Sequence, residues 1–253
     1  MTIAVSRRGR IGVLQIDRPA ARNALDDQLL DELIGAVESM RDDNQVRAVV
    51  LTGAGTVFCA GDDLKAALAA TGAQFAGSIR RLQTLSVALL DLGKPTVAAM
   101  NGPAFGGGLE LALNCDVRIA TADFQCATPE VQLGLTPTNA ATVLLPLIIG
   151  HSNARRMMFS GARFDARWCL QAGLIDELTT SADLLPRAVA IAEELSSGAP
   201  LALAATRRLL NEPLRETLKR ALDAEEEVCV AAHGAEALAG VRAFLAKDPT
   251  PWK

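Results

Sequence analysis

"GPAFGGGLELALNCD", residues 102–116, sets three glycines, Gly106 to Gly108, directly before an apolar helix and places Glu110 in that helix's first turn. Glycine inside a helix costs about 1 kcal/mol relative to alanine, so the run needs a reason in the backbone itself. A tight contact that excludes a Cβ is one reason, and a flexible turn is another. A third is a ligand that approaches the peptide N–H groups a helix N-terminus leaves unpaired. The stretch follows the strand-like "KPTVAAM" and precedes "DVRIA", so strand, glycine turn and helix read as one unit of an α/β fold.

The whole chain has 253 residues, 50% hydrophobic and 21% charged, which suits one large domain or a domain with an appendage. Its net charge of −4, and basic runs no longer than a pair (Arg7-Arg8, Arg80-Arg81, Arg155-Arg156, Arg207-Arg208), argue against a nucleic-acid footprint. Cys59, Cys115, Cys126, Cys169 and Cys229 lack CxxC spacing and read as reduced thiols, several of them core packing, in an intracellular protein. His151 and His233 sit in no metal-binding spacing, so neither a metal site nor a Ser-His-Asp triad assembles from them. The opening "MTIAVSRRGRIGVLQIDRP" holds no signal-like apolar region, and no uncharged apolar run reaches the ~18 residues of a membrane span. A cytoplasmic protein without a membrane or nucleic-acid partner is expected.

Along the chain, "TIAVSRRGRIGVLQIDR" reads as two strands around a turn at Gly9. "LDDQLLDELIGAVESM" carries Leu25, Leu29, Leu33, Val37 and Met40 on one stripe, with Asp26 and Asp27 at its positive end, which predicts a helix. "VRAVVLTG" is a buried strand, and the glycine-rich "GAGTVFCAGDDLKAALAATGAQ" leads from it into an alanine-rich segment read as mobile. "FAGSIRRLQTLSVALLDL" is a helix, "DVRIA" and "DFQCA" are short strands, and "TPEVQLGLTP" is an extended loop. Beyond about residue 138 the pattern becomes helical, ending in a helix from near Pro213 to near Lys247 broken around Gly234.

Some motifs fail on inspection. "VVLTGAGTVF" resembles the start of a dinucleotide fingerprint, but Phe58 stands at the third glycine and no helix follows. "GKPT" at 93–96 lacks the first P-loop glycine, and Pro95 removes a needed N–H; there is no GxSxG. Carboxylates and backbone amides remain. "FCAGDDL" and "FGGGLE" each offer N–H groups after a strand, and two donors from separate loops are the usual construction of an oxyanion hole. Glu110 lies beside the second, and Glu130 follows in a segment poor in charge, where a carboxyl acquires a raised pKa suited to acid–base work. Each has an ordinary reading as well: a first-turn acid that favours the helix dipole, and a solvated loop residue.

Taken together these segments resemble the enoyl-CoA hydratase/isomerase, or crotonase, superfamily over nearly the whole chain. "IDRPAARNAL" is similar to its early strand-to-helix segment, and "VVLTGAGTVFCAGDDL" to its first oxyanion-loop motif. "KPTVAAMNGPAFGGGLELALNCDVRIAT" is similar to the second, "FQCATPEVQLGL" to the second glutamate's motif, and "ARWCLQAGLIDEL" to a later helix-turn-strand. The resemblance implies an α/β fold: a spiral of repeated strand-strand-helix units, residues 1–197, with a C-terminal helical trimerisation region, residues 198–253. It implies a homotrimer or hexamer acting on an acyl-CoA thioester, with coenzyme A as part of the substrate and no separate cofactor.

On the resemblance, the N–H groups of Asp62 and Gly107 polarise the thioester carbonyl, and Glu110 and Glu130 hold the water that adds across the C2–C3 double bond. Glu110 then activates the water and Glu130 protonates C2, the chemistry of an enoyl-CoA hydratase, a lyase of fatty acid metabolism. The matching positions give a substrate-binding set of Arg22, Ala24, Ala60, Asp62, Asp63, Leu64, Lys65 and Gly107, with Phe244 and Lys247 reaching across a subunit boundary to the CoA nucleotide. The acyl lining falls to residues 64–85. Two features depart from the family pattern: an acid, Asp62, where a small residue is usual, and "PTNAAT" at 137–142 where hydratases continue with a "PGAGG"-like turn. Other thioester reactions on the same scaffold (double-bond isomerisation, hydrolysis, decarboxylation) stay open, as does a non-catalytic acyl-CoA-binding protein.

Overall fold

The computed structural model describes residues 2–252. β1 (Ile3–Arg8) and β2 (Ile11–Ile16) form an antiparallel hairpin turning at Gly9, whose φ of +59° suits glycine. Then follow α1 (Asp27–Asp42), β3 (Ala48–Gly53), α2 (Leu64–Ala69), α3 (Gly72–Leu90), β4 (Thr96–Met100), β5 (Ala104–Phe105) and α4 (Gly107–Leu113). β6 (Val117–Thr121) and β7 (Gln125–Ala127) lead to a 3₁₀ turn at Glu130–Leu133, α5 (Ala141–Ser160), β8 (Phe164–Asp165), α6 (Ala166–Gln171) and β9 (Glu177–Thr179). The chain ends with α7 (Leu184–Leu195), α8 (Pro200–Ala232) and α9 (Ala235–Ala246).

One six-stranded sheet runs β1-β2-β3-β4-β6-β9, parallel from β2 onward, and a small second sheet runs β5-β7-β8. β3 is buried along its whole length because both faces of the large sheet are covered. Its alternate residues divide between two cores. Val49 and Leu51 pack with Leu29, Leu33, Leu85 and Leu109 from α1, α3 and α4. Ala48 and Val50 pack with Leu184, Ala188 and Ile191 of α7. The stripe on α1 is buried as its periodicity predicts, and Asp26 caps the helix by accepting from Leu29 N–H at 2.8 Å. All five cysteines are buried and free of disulfides. Among the described residues, no single helix is long and apolar enough to cross a membrane.

Four local expectations are corrected. The alanine-rich segment is helical: Asp63 caps α2, and Thr71 with Gln74 forms a capping box that starts α3 at Gly72. "TPEVQLGLTP" is not fully extended, since a 3₁₀ turn at Glu130–Leu133 closes on Gly134 at φ +70°. α5 begins at Ala141 and bends at Gly150, reaching well upstream of "ARRMMFSG" (154–161), the stretch whose pattern reads as a helix. α8 runs unbroken through Pro213. It is anchored upstream by Arg207, which donates to Asp116 and to the carbonyls of Leu89 and Leu90, and downstream by buried Leu218 and Leu222. That docking outweighs the proline's lost hydrogen bond.

Candidate active site

Two loops build the centre of the site, and Asn23 shapes the first. Fully buried at φ +57°, it donates from Nδ2 to Ala54 O (2.9 Å) and Val57 O (2.7 Å), and its Oδ1 accepts from Arg18 N–H (2.9 Å). The loop after β3 is thereby held by a residue more than thirty positions upstream. Asn23 is absent from the sequence-derived site; its signal was an asparagine inside "RPAARNAL", the residue type that tolerates a left-handed backbone. Cys59 O then accepts from Phe105 N–H at 3.1 Å, tying the first loop to the second.

Each glycine of the triple answers to a different neighbour. A Cβ at Gly106 would lie 2.9 Å from Glu130 Oε1, one at Gly107 2.9 Å from Asp62 Oδ1, and one at Gly108 2.4 Å from Cys59 O. Gly61, at φ +90°, faces the same junction: its Cβ would stand 2.6 Å from Phe105 O and 3.4 Å from Gly107 N. The run exists for close approach, and the approach is to two carboxyl groups and the other loop. Leu25 N–H donates to Gly61 O and Asp63 N–H to Leu25 O, so the Asp62 N–H between them points away from Leu25. Gly107 opens α4, where its N–H has no intrahelical acceptor.

Glu110 and Glu130, twenty residues apart in sequence, come together here. Glu110 is 1% exposed, and its Oε1 accepts from Thr138 N–H (3.1 Å) and Asn139 N–H (3.4 Å). Burial, then the nearby charge of Glu130, pushes its carboxyl well above the ordinary range. Glu130 is 9% exposed, its Oε2 has no hydrogen-bond partner, and burial pushes it up to about 8. Asp62 is open to solvent through the cleft, yet protein surrounds it closely enough that lost hydration pushes it up to about 6. Asp62 has no ion-pair partner among the described residues.

A cleft of about 430 Å³ opens over Asp62 and Glu130, lined by these two and Thr138 and, farther along, by Leu30, Phe75, Ile79, Leu82 and Leu135. Leu64 and Asp63 also line it, as expected, and so does Cys229 of α8, which the range 64–85 had left out. Asp63 faces Arg18 at 3.6 Å. Arg22 O accepts from Ala60 N–H, and Ala24 O accepts from the Arg18 guanidinium, so this stretch is a hydrogen-bonded border of the first loop. Lys65 is exposed and outside the lining. Phe244 and Lys247 lie exposed on α9 and at its end, outside the cleft of their own chain. A wider groove of about 610 Å³ between α3 and α8 contains none of the three carboxyls. No group of three or more potential metal ligands occurs among the described residues.

A spiral α/β fold whose two glycine loops face a pair of buried glutamates defines a class of acyl-thioester proteins, and the comparisons agree. The family model described as enoyl-CoA hydratase/isomerase matches residues 6–253, and the chain belongs to that family, the crotonase superfamily. It is 34% identical over 233 residues to the short-chain-enoyl-CoA hydratase of Clostridium acetobutylicum, covering 89% of this chain and 87% of that one. It is 34% identical over 252 residues to the 2,3-dehydroadipyl-CoA hydratase of Escherichia coli, covering 99% and 98%. The crystal structure of an enoyl-CoA hydratase/isomerase from Pseudoalteromonas atlantica superposes with a TM-score of 0.90 at 32% identity, covering 99% of both chains.

Proposed function

We propose that the protein is an enoyl-CoA hydratase that adds water across the 2,3 double bond of a 2-enoyl-CoA thioester. The observation that carries this is the meeting of Glu110 and Glu130 beside the outward N–H groups of Asp62 and Gly107. The thioester oxygen takes the two N–H groups, which stabilise the enolate as it forms. The glutamates titrate as a pair, and their burial and mutual repulsion keep a proton on the pair at neutral pH. Thr138 and Asn139 N–H favour the charge on Glu110, whereas the unpartnered Oε2 of Glu130 favours the proton there. Glu110 thus draws a proton from water while Glu130 delivers one to C2.

The cleft supports an uncharged acyl group. Its charged lining residues are Asp26, Asp27, Asp62, Asp63 and Glu130, with no lysine or arginine among them, and its far wall is apolar. An acyl chain ending in a carboxylate, as the name of the E. coli relative indicates for its substrate, would lose hydration here without gaining a cation. Leu201, Leu209 and Leu210 on α8 and Phe159 on α5 are large exposed apolar residues, which suits association into a homotrimer or hexamer.

The test is turnover of crotonyl-CoA to 3-hydroxybutyryl-CoA, with 2,3-dehydroadipyl-CoA as comparison. Glu110→Gln and Glu130→Gln should each lower kcat by about 10²-fold with binding retained. Near-normal turnover in either variant ends the two-glutamate mechanism. Asp62 favours one second reading: a third carboxyl beside the hole suits a double-bond isomerase, which a 3-enoyl-CoA substrate in the same panel would reveal.

A further inference from the structure

We propose that Glu225, on the C-terminal helix α8, is a positioning residue for Glu110; this rests on the two-glutamate reading above. Glu225 is 6% exposed. Its Oε2 accepts from Ala140 N–H at 2.8 Å, and its Oε1 accepts from Thr142 N–H at 3.1 Å and from the Thr142 hydroxyl. Just upstream, Thr138 and Asn139 N–H donate to Glu110 Oε1. Residues 138–142 therefore form a strap whose N–H groups are divided between two carboxyls on different helices. The strap fixes Glu110, and Glu225 fixes the strap.

The arrangement is costly unless it serves something. Glu225 is buried with no ion-pair partner among the described residues, and burial pushes its carboxyl upward. An apolar side chain would fill the space without that cost. What an apolar residue would not do is satisfy the start of α5. Ala140, the residue preceding that helix, has no side-chain acceptor and stands at φ +65°, a left-handed backbone unfavourable for a residue with a Cβ. Glu225 supplies the missing cap from 85 positions away and bonds that same strained residue. From the other side, Gln83 Nε2 donates to Thr138 O (3.1 Å) and Leu222 O (2.8 Å), and Ser86 Oγ donates to Asn139 Oδ1 (2.6 Å). Those bonds grip the strap by a carbonyl and a side chain. Through the planar Thr138–Asn139 peptide the Gln83 bond also orients the Asn139 N–H, while the Ala140 and Thr142 N–H groups are held by Glu225.

A double-mutant cycle separates positioning from general stability. Glu225→Ala should lower kcat at least about tenfold while KM for the acyl-CoA stays within about twofold; in a Glu110→Gln background the same change should cost less than about twofold. Hydrogen exchange without substrate gives a readout independent of the reaction: in Glu225→Ala, amides of residues 136–142 should exchange at least about tenfold faster, with α1 unchanged. Glu225→Gln, which keeps the volume and one acceptor, should fall between, and it carries the cycle if the alanine variant does not assemble. Equal losses in both backgrounds, or unchanged exchange at 136–142, overturns the proposal. If the wild type turns over no enoyl-CoA, the hydratase reading has failed and the exchange result alone decides the role of Glu225.

Discussion

Asp62→Asn is the substitution that bears hardest on the chemistry. The Asp62 carboxyl lies against Gly107, beside the place where an enolate oxygen would gather charge. Two unit charges about 4 Å apart repel by about 4 kcal/mol at an effective dielectric of 20. Water reaching Asp62 through the cleft screens part of this, so about 1–2 kcal/mol, roughly a five- to thirtyfold rate effect, is the working magnitude. The carboxyl titrates near 6, raised by burial, so it is neutral below that pH and charged above it. The sign follows: in the wild type kcat/KM should fall as pH rises through about 6 and level off roughly five- to thirtyfold lower. Asparagine keeps the volume and removes the charge, so its kcat/KM should match the wild type near pH 5 and exceed it about tenfold near pH 7.5. The assay is crotonyl-CoA hydration from pH 5 to 7.5, below the range where Glu130 loses its proton at about 8. An Asn variant slower than the wild type at every pH refutes the reasoning and gives the Asp62 carboxylate a constructive part in the reaction.

Other outcomes follow from the same geometry. Glu130→Gln should stabilise the fold at high pH. A carboxyl raised from 4.5 to about 8 binds its proton more tightly folded than unfolded, so the wild type loses stability as pH rises between those values, about 5 kcal/mol at most by linkage. The gain in melting temperature should be clear at pH 8 and vanish at pH 4; an equal gain at both would remove the carboxyl as its cause. Gly108→Ala should impair folding, because its Cβ would meet Cys59 O at 2.4 Å, while Gly107→Ala, meeting the movable Asp62 side chain at 2.9 Å, should fold and lose turnover. Soluble yield and circular dichroism of the two variants check this. Lys247→Ala should raise KM for acyl-CoA several-fold at low salt, fading at high salt and absent with pantetheine thioesters, since an exposed cation acts on the nucleotide phosphates alone. Unchanged KM at low salt removes Lys247 from the binding surface.

What could be read from the letters was local. The stripe of Leu29, Leu33, Val37 and Met40 declares α1, and the glycine run declares a close approach, because both signals lie within a few residues of their cause. Even some local signals were present and passed over: Thr71 and Gln74 spell a capping box, hidden by the alanines around it. The remainder was unreadable for a physical reason. Glu225 stands in "AEEEV", a string that describes a solvated helix face, and becomes a buried cap only because α8 crosses the start of α5. Pro213 reads as a break until Arg207 and Leu218 pin the helix on either side. Asn23 holds a loop through contacts that span thirty-one and thirty-four residues. Such roles belong to pairs of elements, and no window of sequence contains both members.

The C-terminal helices, anticipated as a region for subunit contact, also form part of the site on their own chain. α8 contributes Glu225 to the strap and Cys229 to the cleft wall, and His233 at its end stacks on Phe75 with ring centroids 4.0 Å apart. α9 lies on the turn that carries Glu130: a Cβ at Gly134 would fall 2.8 Å from the Glu236 backbone, and one at Gly240 2.5 Å from Leu133 O. The two candidate glutamates are therefore each braced from the C-terminal helices, Glu110 through Glu225 and residues 138–142, Glu130 through the 3₁₀ turn beneath α9. A shift of α8 reaches Glu110 and a shift of α9 reaches Glu130, so a movement of the two helices together, as on association with a second copy, would reach both carboxyls. Burial and N–H geometry set their proton affinities, so such a shift would appear first in the pH dependence of turnover and only afterwards in substrate binding.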